Sequence, residues 1–142
     1  MCGIAGSLSL RGERASAAIG RRDRLRAMIG TLAHRGPDGS GVYLDVDGVC
    51  GLAHARLSII DVGGGHQPMS IARDHVDERE SLTITFNGEI FNYIELRSEL
   101  ESRGRIFKTK SDTEVSLHAY AVWGDRCVDK MNGQWAFAIW DA

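Results

Sequence analysis

The residues with the clearest chemical potential stand at the start of the chain, in Met1-Cys2. If Met1 is removed, Cys2 carries both a thiol and a free α-amine. A free thiol titrates near ~8.5 and an α-amino group near ~7.7–8.0, so the amine can accept the thiol proton at neutral pH. One residue then supplies both the nucleophile and its base. The alternative is that Cys2 is an ordinary terminal residue, and the first two residues alone favour that interpretation.

Three further positions carry polar groups in an informative context. Arg56 interrupts an apolar run, where a guanidinium needs an anionic partner, so an internal salt bridge and a bound ligand are equal alternatives. Asn87 and Gly88 place a side-chain amide beside an unhindered backbone N–H, as in an oxyanion hole, although a plain turn is the commoner use of this dipeptide. Asp112 lies at a predicted helix start, where the helix dipole alone explains a carboxylate.

Taken together, these groups suit a free amino acid as the substrate. Arg56 offers a bidentate fork to an α-carboxylate, and the carboxylate of Asp112 matches an α-ammonium group. A side-chain amide attacked by a thiolate needs an oxyanion hole. The set therefore fits hydrolysis of glutamine at its side-chain amide.

The elements that must position these groups alternate between strands and helices. Strands are predicted over 2–9, 42–46, 49–60, 82–86, 106–109 and 135–140. Helices are predicted over 22–33 and 93–103 and from Ser111 to Gly124. Connections without regular structure are predicted over 34–41, 61–69 and 73–81, and a short amphipathic piece over 127–131.

Local signals support several of these boundaries. Asp47-Gly48 predicts the turn of a hairpin, and Asn92 is a candidate helix cap. Ser111 with Glu114 has the spacing of a capping box. Apolar spacing predicts the residues that face the core of the first strand and the first helix. They are Ile4 with Leu8 or Leu10, and Leu25, Met28, Ile29 and Leu32.

Composition excludes several classes of function. The chain has 142 residues, which fits one domain, and its net charge of -2 gives no basic excess for nucleic acid or an anionic membrane. Three cysteines without a CxxC motif favour a reduced, cytoplasmic setting, with Cys50 and Cys127 as buried thiols. No apolar stretch is long enough for a membrane span. No histidine pair has metal-site spacing and no phosphate loop is present, so we expect no metal and no ATP site in this chain.

Several motifs follow one another along almost the whole chain. They are Met1–Gly6, His34–Gly39, Ala55–Asp61, Gln67–Met69, Phe86–Tyr93, Thr109–Val115 and Ala136–Asp141. With these motifs in this order, the chain closely resembles the class II (N-terminal nucleophile) glutamine amidotransferase domain, and within it the asparagine synthetase type.

The resemblance implies an α+β fold, an αββα four-layer sandwich of two antiparallel sheets. It implies that Cys2 is the nucleophile, that Arg56 grips the glutamine carboxylate, and that Asn87 and Gly88 form the oxyanion hole. It also implies that Glu89 and Asp112 contact the substrate amino group. The expected reaction is thiolate attack, loss of ammonia, and hydrolysis of a γ-glutamyl thioester to glutamate.

The resemblance also sets expectations about what lies outside this chain. Members of this type carry a C-terminal synthetase domain that binds ATP with Mg and activates a carboxylate acceptor, by default aspartate. We therefore expect residues 1–142 to be a truncated glutaminase domain, incomplete at its C-terminus, with an exposed sheet edge. The expected partners are L-glutamine and the synthetase domain, and a homodimer is left open.

Two other interpretations remain at this point. The chain could be a non-catalytic amino-acid-binding or regulatory module of the same fold, which retention of Met1 would favour. It could also hydrolyse a different amide, although Arg56 paired with Asp112 argues for a zwitterionic substrate.

Overall fold

The computed structural model describes residues 1–9, 18–59, 63–73 and 81–142. Its strands are β1 Gly3–Leu8, β2 Gly39–Leu44, β3 Cys50–Arg56, β4 Met69–Ala72, β5 Ser81–Ile90 and β6 Gly133–Asp141. Its α-helices are α1 Ala18–Gly30, α2 Tyr93–Ser102 and α3 Asp112–Trp123. Short 3₁₀ helices span Ala33–Arg35 and Gly124–Lys130.

Two antiparallel sheets, each of three strands within the described ranges, lie between layers of helices. The first sheet has the order β1-β3-β2 and the second has the order β4-β5-β6. Helix α1 packs on the first sheet, and α2 and α3 pack on the second. This arrangement confirms the predicted α+β class with two antiparallel sheets between helices.

The core between α1 and the first sheet follows from the helical spacing of apolar residues in α1 and their alternation in β3. Leu25 and Ile29 are four residues apart and so share one face of the helix, while Ala53 and Ala55 alternate along β3 and point to the same face of the sheet. All four side chains are buried. The small alanines let the helix approach the sheet closely, and burying the two larger side chains stabilises the fold by roughly 1.5–3 kcal/mol each.

The two sheets meet through a buried polar contact as well as apolar packing. His54 of β3 points away from α1, and its Nδ1 lies 3.3 Å from the hydroxyl of Thr85 in β5. That hydroxyl also donates to the carbonyl of Ala53 at 3.1 Å. Burial, with a smaller effect of the nearby Arg56 cation, lowers the pKa of His54 to about 4. The imidazole is therefore neutral at physiological pH and is part of the contact between sheets.

Most predicted elements are confirmed, with shifts at their ends. Asp47-Gly48 lies in the β2–β3 turn, where Gly48 has a positive φ of 69°. Gly124 ends α3 with a φ of 59°, and Cys50 and Cys127 are buried. The first helix begins at Ala18, four residues before its predicted start. None of the described helices is long and apolar enough to span a membrane.

The prediction of a turn at Asn87-Gly88 is wrong. Both residues continue β5, where Asn87 pairs with Ala136 and Gly88 pairs with Trp135 of β6. The preference of this dipeptide for turns is local, whereas the pairing with β6 covers nine of the ten residues of β5 and decides the conformation.

Other connections also differ from the predictions. Residues 106–109 form no strand, and Ile106 is 69% exposed. A four-residue strand, β4, begins at Met69 inside the stretch predicted as irregular. The predicted irregular turn over 34–41 starts in a 3₁₀ helix and ends in β2. The predicted strand end at 60–61 and most of the 73–81 connector fall outside the described residues.

Two predicted core positions are wrong. Leu8 is 58% exposed and Met28 is 37% exposed, while Ala5 packs against the α1 core instead. Leu10 lies outside the described residues. The face of β1 that meets α1 is therefore the one carrying Gly3 and Ala5, because larger side chains would hold the helix away from the sheet.

The predicted helix caps are only partly right. Ser111 accepts a hydrogen bond from the N–H of Thr113 at 3.1 Å. Glu114 does not complete the capping box, because its carboxylate accepts instead from the N–H groups of Lys108 and Thr109, at 2.8 and 2.7 Å. Asn92 makes no side-chain cap, and its amide donates to Lys130 O. Both side chains therefore fix neighbouring loops.

The burial of neutral His54 predicts a pH-dependent stability. The unfolded chain takes up a proton near pH 6.5 and the folded chain only near pH 4. Between these values the unfolded state binds more protons, so the free energy of unfolding falls as the pH falls, by about 3 kcal/mol in total.

We expect His54→Gln to remove this part of the pH dependence, as measured by urea denaturation across that pH range. The control is the unchanged chain under the same conditions. An identical pH slope for both proteins would contradict a neutral, buried His54.

Candidate active site

One cavity of about 260 Å³ lies where the ends of both sheets meet the start of α3. It brings together every site residue that the sequence predicts. They are Cys2, Arg56, Asn87, Gly88, Glu89 and Asp112. Residues far apart in sequence thus face one volume, because β1 and β3 of the first sheet and β5 of the second all reach this edge.

Cys2 lies directly before β1 and is held at the cavity by its neighbours. Its Sγ accepts a hydrogen bond from the N–H of Leu57 at 3.3 Å. Its carbonyl oxygen accepts from Nε of Arg35 at 3.0 Å. The thiol in turn donates to the carbonyl oxygen of Leu57 at 3.6 Å, so the backbone of Leu57 holds the sulfur through two contacts. The side chain is half-buried, so a substrate can reach it.

Arg56 ends β3, and only 8% of its surface is exposed. The turn before β2 fixes its backbone, because the N–H of Asp38 donates to the carbonyl of Arg56 at 3.0 Å. The carboxylate of Asp38 accepts from the N–H of Ser58 at 2.7 Å. Gly36 packs so closely that a Cβ there would lie 2.5 Å from the backbone nitrogen of Arg56. The Gly-Pro-Asp turn therefore sets the direction of both Arg56 and Leu57.

Asn87, Gly88 and Glu89 are presented by the strand β5, not by a turn. Gly88 is required by close packing, because a Cβ there would contact Gln134 O and lie 2.6 Å from the Cα of Trp135. A ladder of backbone hydrogen bonds to β6 makes this stretch more rigid than a loop would be. The side-chain amide and the bare backbone N–H predicted as an oxyanion hole are thus adjacent on a fixed strand.

Asp112 begins α3 with only 5% of its surface exposed. One of its carboxylate oxygens accepts from the N–H of Ile90 at 3.1 Å, which ties the helix to the end of β5. Burial raises the pKa of Asp112, and the nearby Glu89 carboxylate raises it further, while hydrogen bonds from the backbone of Ile90 and Thr113 oppose the shift. A bound cation would relieve both unfavourable effects, so this corner of the cavity suits an ammonium group.

The arrangement combines a thiol with groups of both charges. The cation of Arg56 and the carboxylates of Asp112 and Glu89 come from different elements and face the same cavity as Cys2. Within the described ranges, no three His, Cys, Asp or Glu side chains cluster as a metal site would require. The described groups are those of covalent catalysis on an amide.

Three residues that shape the site were not named individually from the sequence, although the stretch from His34 to Gly39 was expected to shape or cover the pocket. The N–H of Leu57 contacts the sulfur, but a backbone group leaves no signal in residue type. Arg35 and Gln67 both lie in motifs that the sequence singled out, in His34–Gly39 and Gln67–Met69. Motif membership was therefore the available signal for them, but it gave neither residue an individual role.

Comparisons with known proteins show the family of the chain. The model of the glutamine amidotransferase domain family matches residues 1–142. The chain is 40% identical to asparagine synthetase [glutamine-hydrolyzing] 3 of Bacillus subtilis, over 99% of this chain and 21% of that protein. It is 36% identical to putative asparagine synthetase [glutamine-hydrolyzing] 2 of Methanocaldococcus jannaschii, over 99% of this chain and 28% of that protein. The chain thus spans between about a fifth and about a quarter of these relatives.

Solved structures share the fold. Glutamine phosphoribosylpyrophosphate amidotransferase of Bacillus subtilis superposes with a TM-score of 0.71 at 23% identity, covering 97% of this chain and 35% of that one. The allosteric regulatory enzyme of purine biosynthesis superposes with a TM-score of 0.68 at 24% identity, covering 96% of this chain and 35% of that one. At this identity the likeness concerns the fold.

The close packing at Gly88 predicts that a single methyl group disrupts the β5–β6 pairing. We expect Gly88→Ala to lower the free energy of unfolding by about 1–3 kcal/mol, because the added Cβ has no space between the strands. Urea denaturation measures the effect. The matched control is Gly39→Ala at the start of β2, where nothing lies within 4 Å of an added Cβ. Equal stability losses in the two variants would contradict this account of Gly88.

Proposed function

The chain belongs to the glutamine amidotransferase domain family, and we propose that its cavity hydrolyses L-glutamine to L-glutamate and ammonia. The observation that carries the proposal is the shared cavity, in which Cys2 faces Arg56, Asp112 and the Asn87-Gly88 pair. Cys2 supplies the thiolate that attacks the side-chain amide of glutamine. Arg56 and Asp112 match its two charges. The Asn87-Gly88 pair matches the oxyanion that develops on the amide oxygen.

Recognition of glutamine rests on its two charges. Arg56 binds the α-carboxylate, where a guanidinium makes two parallel hydrogen bonds. Asp112, with Glu89 beside it, binds the α-ammonium group. Clamping the amino-acid end leaves the side-chain amide directed at Cys2, so that binding also orients the reacting carbon.

The first chemical step forms a covalent intermediate. The α-amine of Cys2 takes the thiol proton, and the thiolate attacks the amide carbon of the substrate. The negative charge that develops on the amide oxygen is stabilised by the Asn87 side chain and the Gly88 N–H. The protonated amine returns its proton to the leaving nitrogen, the carbon–nitrogen bond breaks, and ammonia leaves a γ-glutamyl thioester on Cys2.

The second step returns the enzyme to its starting state. Water attacks the thioester carbon and gives a proton to the α-amine of Cys2, and the same groups stabilise the second oxyanion. The carbon–sulfur bond then breaks to release glutamate, and the thiolate takes back the proton held by the α-amine. Both steps use a free amine on Cys2, so the proposal requires removal of Met1.

The destination of the ammonia is proposed from the relatives. Two of them are named as glutamine-hydrolyzing asparagine synthetases. We infer that ammonia passes to a carboxylate acceptor, by default aspartate, which ATP and Mg activate in a synthetase domain outside residues 1–142. A cytoplasmic location also belongs to this proposal, and the oligomeric state stays open, with a homodimer as one outcome.

One observation favours a second function. Met1 itself lines the cavity beside Cys2, and as long as it is present the α-amine belongs to Met1. A chain that keeps Met1 would retain Arg56 and Asp112, and so would bind an amino acid without hydrolysing its amide. Intact-mass analysis of the purified protein distinguishes the two states.

The proposed mechanism predicts that glutamate release depends on Cys2 alone among the three cysteines. We expect Cys2→Ser to reduce glutamine hydrolysis to background, because a hydroxyl is far less acidic than a thiol and the amine cannot activate it equally well. The measurement is glutamate formation by chains whose intact mass shows that Met1 is absent.

The matched control is Cys127→Ala, which removes a buried thiol outside the cavity and should retain turnover. Undiminished hydrolysis by Cys2→Ser would contradict the mechanism. Glutamine binding without turnover by Met1-free wild-type protein would favour the binding function instead.

A further inference from the structure

Gln67 joins the two halves of the cavity through a single side chain. Its Oε1 accepts a hydrogen bond from the N–H of Phe86 at 2.6 Å. Its Nε2 donates to the hydroxyl of Thr113 at 3.2 Å. Phe86 directly precedes Asn87, and Thr113 directly follows Asp112. One amide therefore connects the neighbour of the oxyanion group with the neighbour of the ammonium-binding carboxylate.

The contact with Phe86 takes the place of a missing strand bond. Strand β4 begins at Met69, which pairs with Ile84 of β5. Extending that register by two residues would bring Gln67 opposite Phe86, but β4 does not reach so far. The Gln67 side chain supplies the acceptor that a backbone carbonyl would otherwise give. Because the N–H of Phe86 needs an acceptor, the amide orientation is fixed and Nε2 must face Thr113.

The contact with Thr113 fixes the start of α3. Only 2% of the surface of Thr113 is exposed, so its hydroxyl has little access to water as an alternative partner. The bond from Ile90 N–H to the Asp112 carboxylate also joins α3 to β5. The Gln67 contact is the second such connection, on the other side of Asp112.

The backbone of Gln67 is held by the first sheet. Gly41 of β2 packs directly on the carbonyl of Gln67, and a Cβ at Gly41 would contact that oxygen. The backbone of Gln67 is thus fixed against β2 of the first sheet, and its side chain reaches β5 of the other sheet and α3. A residue held at three places fixes the relative position of its partners more firmly than a single loop contact does.

We propose that Gln67 is a positioning residue that sets the separation between Asn87 and Asp112, and thereby the fit of the cavity to the length of glutamine. This inference rests on the proposed glutaminase function. It adds a role for the Gln67–Met69 motif, to which the proposed mechanism gives none. The bond to Thr113 positions the ammonium-binding side, and the bond to Phe86 positions the oxyanion side.

The two bonds make separable kinetic predictions. Thr113→Val keeps the side-chain shape but removes the hydroxyl, so we expect KM for glutamine to rise about fivefold to tenfold with little effect on kcat. Thr113→Ser restores the hydroxyl and should bring KM back towards the wild-type value. Gln67→Met removes both bonds and should raise KM and lower kcat together.

The double variant Gln67→Met with Thr113→Val tests whether the residues act as one unit. We expect it to be no worse than Gln67→Met alone, because the second change then removes a bond already lost. Active sites are counted by iodoacetamide alkylation of Cys2, so that loss of folded protein does not imitate a kinetic effect.

The outcomes distinguish this inference from the proposed function. Wild-type protein whose intact mass shows that Met1 is absent, but which has no Cys2-dependent glutamine hydrolysis, would overturn both. Wild-type turnover with multiplying losses in the double variant, or with equal losses for Thr113→Ser and Thr113→Val, would overturn the positioning role alone. A pure loss of active sites at unchanged KM would also overturn it, since that result indicates a structural role.

Discussion

The structure depends on bringing buried groups of opposite charge from separate elements to one cavity. Arg56 and Asp112 are both almost fully buried, and burial of a charge is costly unless a partner compensates it. They come from different elements, β3 and α3, and both line the cavity. Under the proposed function, the α-carboxylate and the α-ammonium group of glutamine would each lie beside a group of opposite charge.

The two-sheet architecture is what brings these groups together. Each sheet contributes the end of a central strand, β3 with Arg56 and β5 with Asn87 to Glu89. The contact of His54 with Thr85 fixes one strand against the other inside the core. The relative position of two strands therefore sets the geometry of the cavity, and the hydrogen bond from Gln67 to Thr113 connects that geometry to α3.

The chemical groups of the site could be predicted from the sequence better than the local backbone conformation could. Arg56 was recognisable because a cation in an apolar run demands a partner. Cys2 and Asp112 each had an ordinary explanation and gained a role only from the whole set of groups and from the family resemblance. Asn87 and Gly88 were placed in the right site but in the wrong conformation, because pairing with the distant β6 overrides a local turn preference. Gln67 had no recognisable role, because its side chain replaces a strand bond that only the folded register reveals.

The central claim is that Cys2 becomes covalently acylated by glutamine. Rapid acid quenching of the protein during turnover, followed by peptide mapping by mass spectrometry, measures this directly. The account predicts a γ-glutamyl adduct on the N-terminal peptide, at Cys2, in chains that have lost Met1. Steady turnover with no adduct at Cys2, or an adduct on Cys50 or Cys127 instead, would contradict it.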